Sequence, residues 1–313
     1  MDAAILANSD LVVECNPSHG FVISRIVDRR EGQNLLWNPP RASLAGLTAD
    51  LGPPGERSIA SFDDGILAGG WFTMFPNSGL PGTAQALWMH GEAARIPWTC
   101  VSKSATTVVC VVETPASHFY LTRRVSIDGP RVTVSTSAVN RLGRPQLVTF
   151  GEHPCFARPL FAGGLLSVGP NARGYIPSVA QPDAARYRGE TAFVWPRVPL
   201  VDGGFEDAAK IPVRPDGRHD HVVVDGTGGV VSIELPRSPS KITLKFDPAT
   251  FPHVLFWQHY LPKASPWPGD VFAIEPGTSP GRTFDEALAA GACQTVDVGA
   301  SVRYWMSLSL QDL

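Results

Sequence analysis

Nothing in this sequence approaches the roughly 18 consecutive apolar residues that a membrane-spanning helix needs, so no membrane partner is expected. The opening residues, Met1 to Cys15, carry neither a basic stretch nor an apolar run of leader length, so no secretory leader is expected. Lysine and arginine never gather into a run, and the formal net charge is −3. A surface that follows a phosphate backbone is therefore disfavoured as the main function, and nucleic acid as a partner with it. Cysteine is scarce. Cys15, Cys100, Cys110, Cys155 and Cys293 are odd in number and form no Cys-x-x-Cys pair, which reads as reduced thiols in a cytoplasmic protein. Charge of either sign is thin, at 18% of residues against the usual ~25%. That leaves a neutral, polar surface suited to an uncharged ligand.

Turn formers and hydrophobic residues are abundant. The 30 Gly and 29 Pro are spread along the chain, and 43% of residues are hydrophobic, enough for a large core. Short β-branched and aromatic runs recur from Leu11–Cys15 to the closing run near Arg303–Leu310. In several of them apolar and polar residues alternate, as where Val132 and Val134 face one way and Thr133 and Ser135 the other. Turn signals such as Ile127-Asp128-Gly129-Pro130 and Pro215-Asp216-Gly217 separate the runs, and the pair flanking Asp225–Gly229 reads as a hairpin. Helix signal is nearly confined to Thr283–Ala290, with Thr283 as N-cap, Glu286 completing a capping box and Gly291 as the stop. Pro170 to Pro215 has weak periodicity and reads as a long surface excursion. The expectation is one all-β domain, residues 1–313, a large antiparallel sandwich with few short helices.

Three segments set polar groups among apolar ones: Gly69–Trp98, Thr149–Phe156 and Phe272–Thr278. Glu275 closes an apolar strand just before Pro276-Gly277, where a carboxylate would be held yet open to a cleft; it reads equally as a solvated turn residue. His153, between Phe150 and Phe156, and His90, before Gly91, each read alone as a core or rim histidine. Trp71, Phe75 and Trp257 could stack on a flat ligand, but aromatics in such runs are more often core.

Taken in order, these segments resemble a known series. Phe75-Pro76-Asn77-Ser78-Gly79, then His90-Gly91-Glu92-Ala93 ahead of Trp98, then Gly151-Glu152-His153-Pro154, then Ile274-Glu275-Pro276-Gly277-Thr278 ahead of a short helix, are similar to the aldose 1-epimerase (galactose mutarotase-like) family. The resemblance runs from about Gly20 to the closing strand. It implies a β-supersandwich with a sugar cleft on one face, an aldose as the small-molecule partner, and no metal or redox cofactor. It also implies His153 as general acid, Glu275 as general base and His90 as a residue that positions the sugar. Anomer exchange needs such a set: a base for the C1 hydroxyl proton and an acid for the ring oxygen.

The match has gaps. Family members of the galactose type carry Asn-Arg where Asn77-Ser78 stands, and an Asp that has no clean counterpart here, which disfavours galactose itself. Asn77, Trp257 and Gln258 remain as candidate sugar contacts, and Arg95 is the candidate replacement cation. Two other readings stay open. One is a non-catalytic sugar-binding protein of the same fold. The other is a cupin-like metalloenzyme using His219 and His221, which otherwise read as an exposed hairpin shoulder. Should Glu275 not be the base, Glu152 is next in line.

Overall fold

The computed structural model describes residues 3–39, 47–67, 69–83, 85–170, 172–178, 182–238, 240–263 and 269–312. Among them, two large antiparallel sheets pack face to face, the helix-poor antiparallel sandwich expected from the alternating runs. The first has 13 strands. It runs from Ala4–Ala7 through Leu11–Asn16, Val22–Asp28 and Trp71–Met74 to the central strands Gly151–Ala157, Asp270–Gly277, His253–Tyr260 and His219–Asp225. Beyond these it continues through Arg173–Ile176, Thr191–Val194, Arg197–Pro199 and Phe205–Asp207, and Gln33–Asn34 flanks Val22–Asp28. The second sheet has eight strands, centred on Ser240–Phe246, Ser301–Asp312, Arg131–Asn140 and Phe119–Asp128.

Alternation builds the core. Val132 and Val134 are fully buried, while Ser135 between the rows is exposed. The inner faces of both sheets fill the space between them with residues such as Val13, Phe21, Phe156 and Phe272 from one side and Val108, Leu121 and Leu308 from the other. A smaller apolar cluster, including Phe62, Phe72, Met74, Cys155, Trp257 and Ala273, lies on the outer face of the large sheet.

One buried ion pair spans the sandwich. Arg123, in Phe119–Asp128 of the eight-stranded sheet, meets Glu152 of the large sheet, with Nη2 2.8 Å from Oε2 and Nη1 bonded to Oε1. Both side chains are 0% exposed. Trp71 Nε1 donates to Glu152 at 2.7 Å, and Arg123 Nη1 donates to Thr136 Oγ1 at 2.9 Å. These bonds serve both carboxylate oxygens and both terminal guanidinium nitrogens, as a buried charge pair requires, while Arg123 Nε has no hydrogen-bond partner among the described residues.

Several local expectations need correction. The runs flanking Asp225–Gly229 form no hairpin, because His219–Asp225 belongs to the large sheet and Val230–Leu235 to the other, so this turn carries the chain between layers. Pro170–Pro215 is no mere excursion, since its short strands extend the large sheet past His219–Asp225. Glu275 does not end its strand, which continues through Pro276 and Gly277. The capping box at Thr283 and Glu286 is present as expected. A second helix, Arg57–Gly65, went unread because it has no side-chain N-cap and only Ile59 and Phe62 mark its apolar side.

Candidate functional site

Period-two alternation sorts the central strands into two faces. On the outer face, antiparallel pairing sets Glu275 beside Leu255, Ala273 beside Trp257 beside His221, and Val271 beside His259 beside His219. The neighbouring strand Gly151–Ala157 pairs Gly151 with Gly277 and Cys155 with Ala273, which brings His153 next to Glu275. Four histidines (His153, His219, His221 and His259) and the Glu275 carboxyl, from strands far apart in sequence, thus share one floor.

His153 Nε2 lies 3.2 Å from Glu275 Oε1, so the two stand side by side and touch. The imidazole stacks on Phe72, its cross-strand partner, with centroids 4.6 Å apart and planes 16° apart. Its Nδ1 is 3.3 Å from Cys155 Sγ. These contacts fix the ring plane and aim Nε2 at the carboxyl. Burial disfavours both charged forms: it pushes the Glu275 carboxyl well above the usual carboxylate range and the His153 imidazole down to about 3. Both shifts favour the uncharged forms of the pair.

Loops and one helix wall the cavity, whose volume is about 360 Å³. His90 sits edge-on to His153 at 5.0 Å and to Phe62 of helix Arg57–Gly65 at 4.9 Å, and its Nδ1 meets Met74 Sδ at 3.1 Å. Its φ is +59°, a left-handed conformation uncommon for a side-chain-bearing residue. Gly91 follows at φ +74°, where a Cβ would lie 2.2 Å from the Phe75 carbonyl oxygen. Only glycine lets the chain double back there. Arg282 lines the cavity from the loop ahead of helix Phe284–Ala289; its Nη1 donates to the Ser178 carbonyl at 2.8 Å, and burial lowers its pKa.

His219, His221 and His259 line the same cavity, so the exposed-shoulder reading of the first two is wrong. His219 Nδ1 and His259 Nδ1 are 2.8 Å apart, and His221 stacks on Trp257 with planes 26° apart. Burial lowers His219 to about 4 and His221 well below the usual histidine value. Among the described residues, no group of three or more His, Cys, Asp or Glu side chains is arranged to hold a metal ion. The cupin-like alternative therefore finds no ligand set there.

Of the residues singled out in the sequence, His90, His153, Trp257 and Glu275 come together around this cavity; Asn77, Arg95 and Gln258 do not line it. Gln258 falls on the inner face, one residue out of phase with Trp257, and its Oε1 accepts from Arg218 Nη1 at 3.1 Å. Arg95 is buried behind helix Arg57–Gly65. It donates to Ser61 Oγ at 2.7 Å and to the Ser58 carbonyl at 3.3 Å, and burial lowers it to about 10. Asn77 Nδ2 donates to the Trp88 carbonyl at 2.9 Å and pins its own loop. Glu152 points into the sandwich toward Arg123, away from the cavity. Sequence reading missed Ile59, Phe62, Asp63, Leu80, Met89, His259 and Arg282. The helical spacing of Ile59 and Phe62, and the period-two link of His259 to Trp257, were the available signals.

No family model matches the sequence, and no curated protein matches it. Solved structures do match its shape. A galactose mutarotase-like protein from Lactobacillus casei ATCC 334 superposes with a TM-score of 0.70 at 15% identity, covering 99% of this chain and all (100%) of the other. A galactose mutarotase related enzyme from Lactobacillus acidophilus gives 0.69 at 14%, covering 99% and 98%. A candidate aldose 1-epimerase from Escherichia coli K12 gives 0.71 at 18%, covering 100% and 99%. The chain has the galactose mutarotase-like fold, the fold implied by the motif resemblance.

Proposed function

We propose that this chain, acting as a single domain over residues 1–313, is a cofactor-free aldose 1-epimerase that exchanges the anomers of a free sugar. The observation that carries this reading is the contact of His153 Nε2 with Glu275 Oε1 at the floor of a walled cavity. In a cyclic sugar the C1 hydroxyl and the ring oxygen are bonded to the same carbon, so the groups that serve them must be neighbours. The volume of about 360 Å³ sits at the small end of ligand pockets, which run from about 300 to 1,000 Å³, and suits a monosaccharide.

Glu275 takes the proton of the C1 hydroxyl while His153 gives one to the ring oxygen. The C1–O5 bond breaks, C1 becomes an aldehyde, and rotation about C1–C2 followed by closure on the other face returns both protons. The pair needs one proton in all, and burial opposes charge on either partner. A bound sugar supplies a donor to the carboxylate and an acceptor to the imidazolium, which makes the charge-separated arrangement accessible. His90 and Trp257 orient the ring from beside the pair. The five free cysteines suit a reducing compartment such as the cytoplasm.

The test is anomer exchange followed by NMR or polarimetry, corrected for the spontaneous rate, across a panel of aldoses. Glu275→Gln and His153→Ala should each slow exchange by about 10²-fold or more, with sugar affinity kept within a few-fold. The double variant should be little worse than either. Binding without acceleration by the wild type would leave a sugar-binding protein of the same fold. Full turnover by Glu275→Gln would refute the assignment of the base.

A further inference from the structure

We propose that Cys155 is a positioning residue for the reaction, its sulfur holding a hydrogen on His153 Nδ1 so that Nε2 is the nitrogen that exchanges protons with the sugar. The inference rests on the anomer-exchange reading and goes beyond it in assigning the tautomer of the acid and the group that sets it. His153 and Cys155 are two residues apart in strand Gly151–Ala157, so alternation turns both to the cavity face. Nε2 meets Glu275 Oε1 at 3.2 Å, while Nδ1 lies 3.3 Å from Cys155 Sγ. The main chain pins the thiol in place: the Cys155 N–H donates to the Gly70 carbonyl at 2.8 Å, and its carbonyl accepts from the Trp37 N–H at 2.9 Å. Cys155 is fully buried, with Ala273 as its cross-strand partner.

Proton counting decides what Nδ1 must do. A neutral imidazole has one hydrogen, and losing it would leave an imidazolate, so an acid that works in neutral solution must react as imidazolium. When Nε2 gives its proton to the ring oxygen, the hydrogen on Nδ1 stays behind. When the sugar closes again, Nε2 takes its proton back. Nδ1 therefore carries hydrogen through the whole cycle and needs an acceptor at every stage. Sulfur offers lone pairs there without a charge, since burial raises the Cys155 thiol well above its ordinary value and keeps it protonated. A carboxylate in that place would hold the positive ring more tightly and make it a weaker acid. The thiol fixes the tautomer and leaves the imidazolium ready to give up a proton. In the opposite tautomer the S–H would donate to a bare Nδ1, and Nε2 would carry a hydrogen that it cannot lose. The main-chain carbonyl of His153 is a second acceptor for the ring, and variants at Cys155 separate the two.

Nitrogen NMR on histidine-labelled protein reads the tautomer, because protonated and bare ring nitrogens differ in chemical shift; His153→Ala assigns the signal. The wild type should carry hydrogen on Nδ1. Cys155→Ala should move it toward Nε2 and lower kcat by about 10-fold, part of the roughly 10²–10⁴ that a positioned acid supplies, with KM kept within a few-fold. Cys155→Ser, whose hydroxyl accepts in place of sulfur, should restore both the tautomer and most of kcat. Wild-type protein with a bare Nδ1 overturns the inference. So does a Cys155→Ala variant that keeps tautomer and kcat, or a Cys155→Ser variant as slow as Cys155→Ala. If the wild type accelerates no sugar, the anomer-exchange reading fails. The NMR comparison of wild type with Cys155→Ala then decides separately whether Cys155 sets the tautomer.

Discussion

Replacing Arg123 with methionine tests whether the ion pair spanning the sandwich holds the floor strand in place. The change removes both nitrogens that meet Glu152 and leaves a carboxylate at 0% exposure to which, among the described residues, only the Trp71 indole donates. Breaking a buried pair from one side costs about 3–5 kcal/mol. Unfolding entropy near 2.1 cal/mol/K per residue gives about 0.7 kcal/mol/K for this chain length, so the melting temperature should fall by about 5–8 °C. Arg123→Met/Glu152→Gln should recover most of that loss, because no charge is then left unpaired. Thermal and urea unfolding followed by circular dichroism read out all of this. A single variant within about 1 kcal/mol of wild type, or a double variant no better than the single, would refute the reasoning.

Two further outcomes follow from the site. Because burial takes His153 down to about 3, its imidazole takes up a proton only in acid solution. The acid limb of kcat/KM should accordingly lie below about pH 5, and a limb near the ordinary histidine value of about 6.5 would count against the assignment. Gly91→Ala should destabilise the fold by about 1–3 kcal/mol and impair exchange through the displaced His90, since its Cβ has no room beside the Phe75 carbonyl. Near-wild-type melting and turnover would contradict this.

The architecture was legible because strand alternation is a local signal: Val132 and Val134 announce their face without knowledge of what covers it. The floor of the site was legible in part, since His153 and Glu275 carry family-like neighbours in the chain. Which face each residue takes was harder. Gln258 and Trp257 are adjacent, and only the register against His219–Asp225 and Asp270–Gly277 sends one inward and the other outward. The roles of Arg95 and Asn77 were hidden for another reason. Their partners are backbone carbonyls and a serine, on helix Arg57–Gly65 and on the loop carrying Trp88, whose paths sequence alone does not trace. Helix Arg57–Gly65 gave little warning because it lacks a capping side chain, yet it supplies Ile59 and Phe62 to the cavity.

The cavity draws its floor and its walls from different parts of the chain. His153 and Glu275 stand on strands paired along their length and backed by the main core, so the reacting centre inherits the rigidity of the whole sandwich. Ile59, Leu67, Leu80 and Met89 stand on a nine-residue helix and on connecting loops, and are only partly covered. Changes at these four positions leave the pairing of the floor strands untouched. Selectivity can therefore drift by point substitution while the chemistry stays fixed, an arrangement that lets one scaffold diversify across sugars without relearning how to fold.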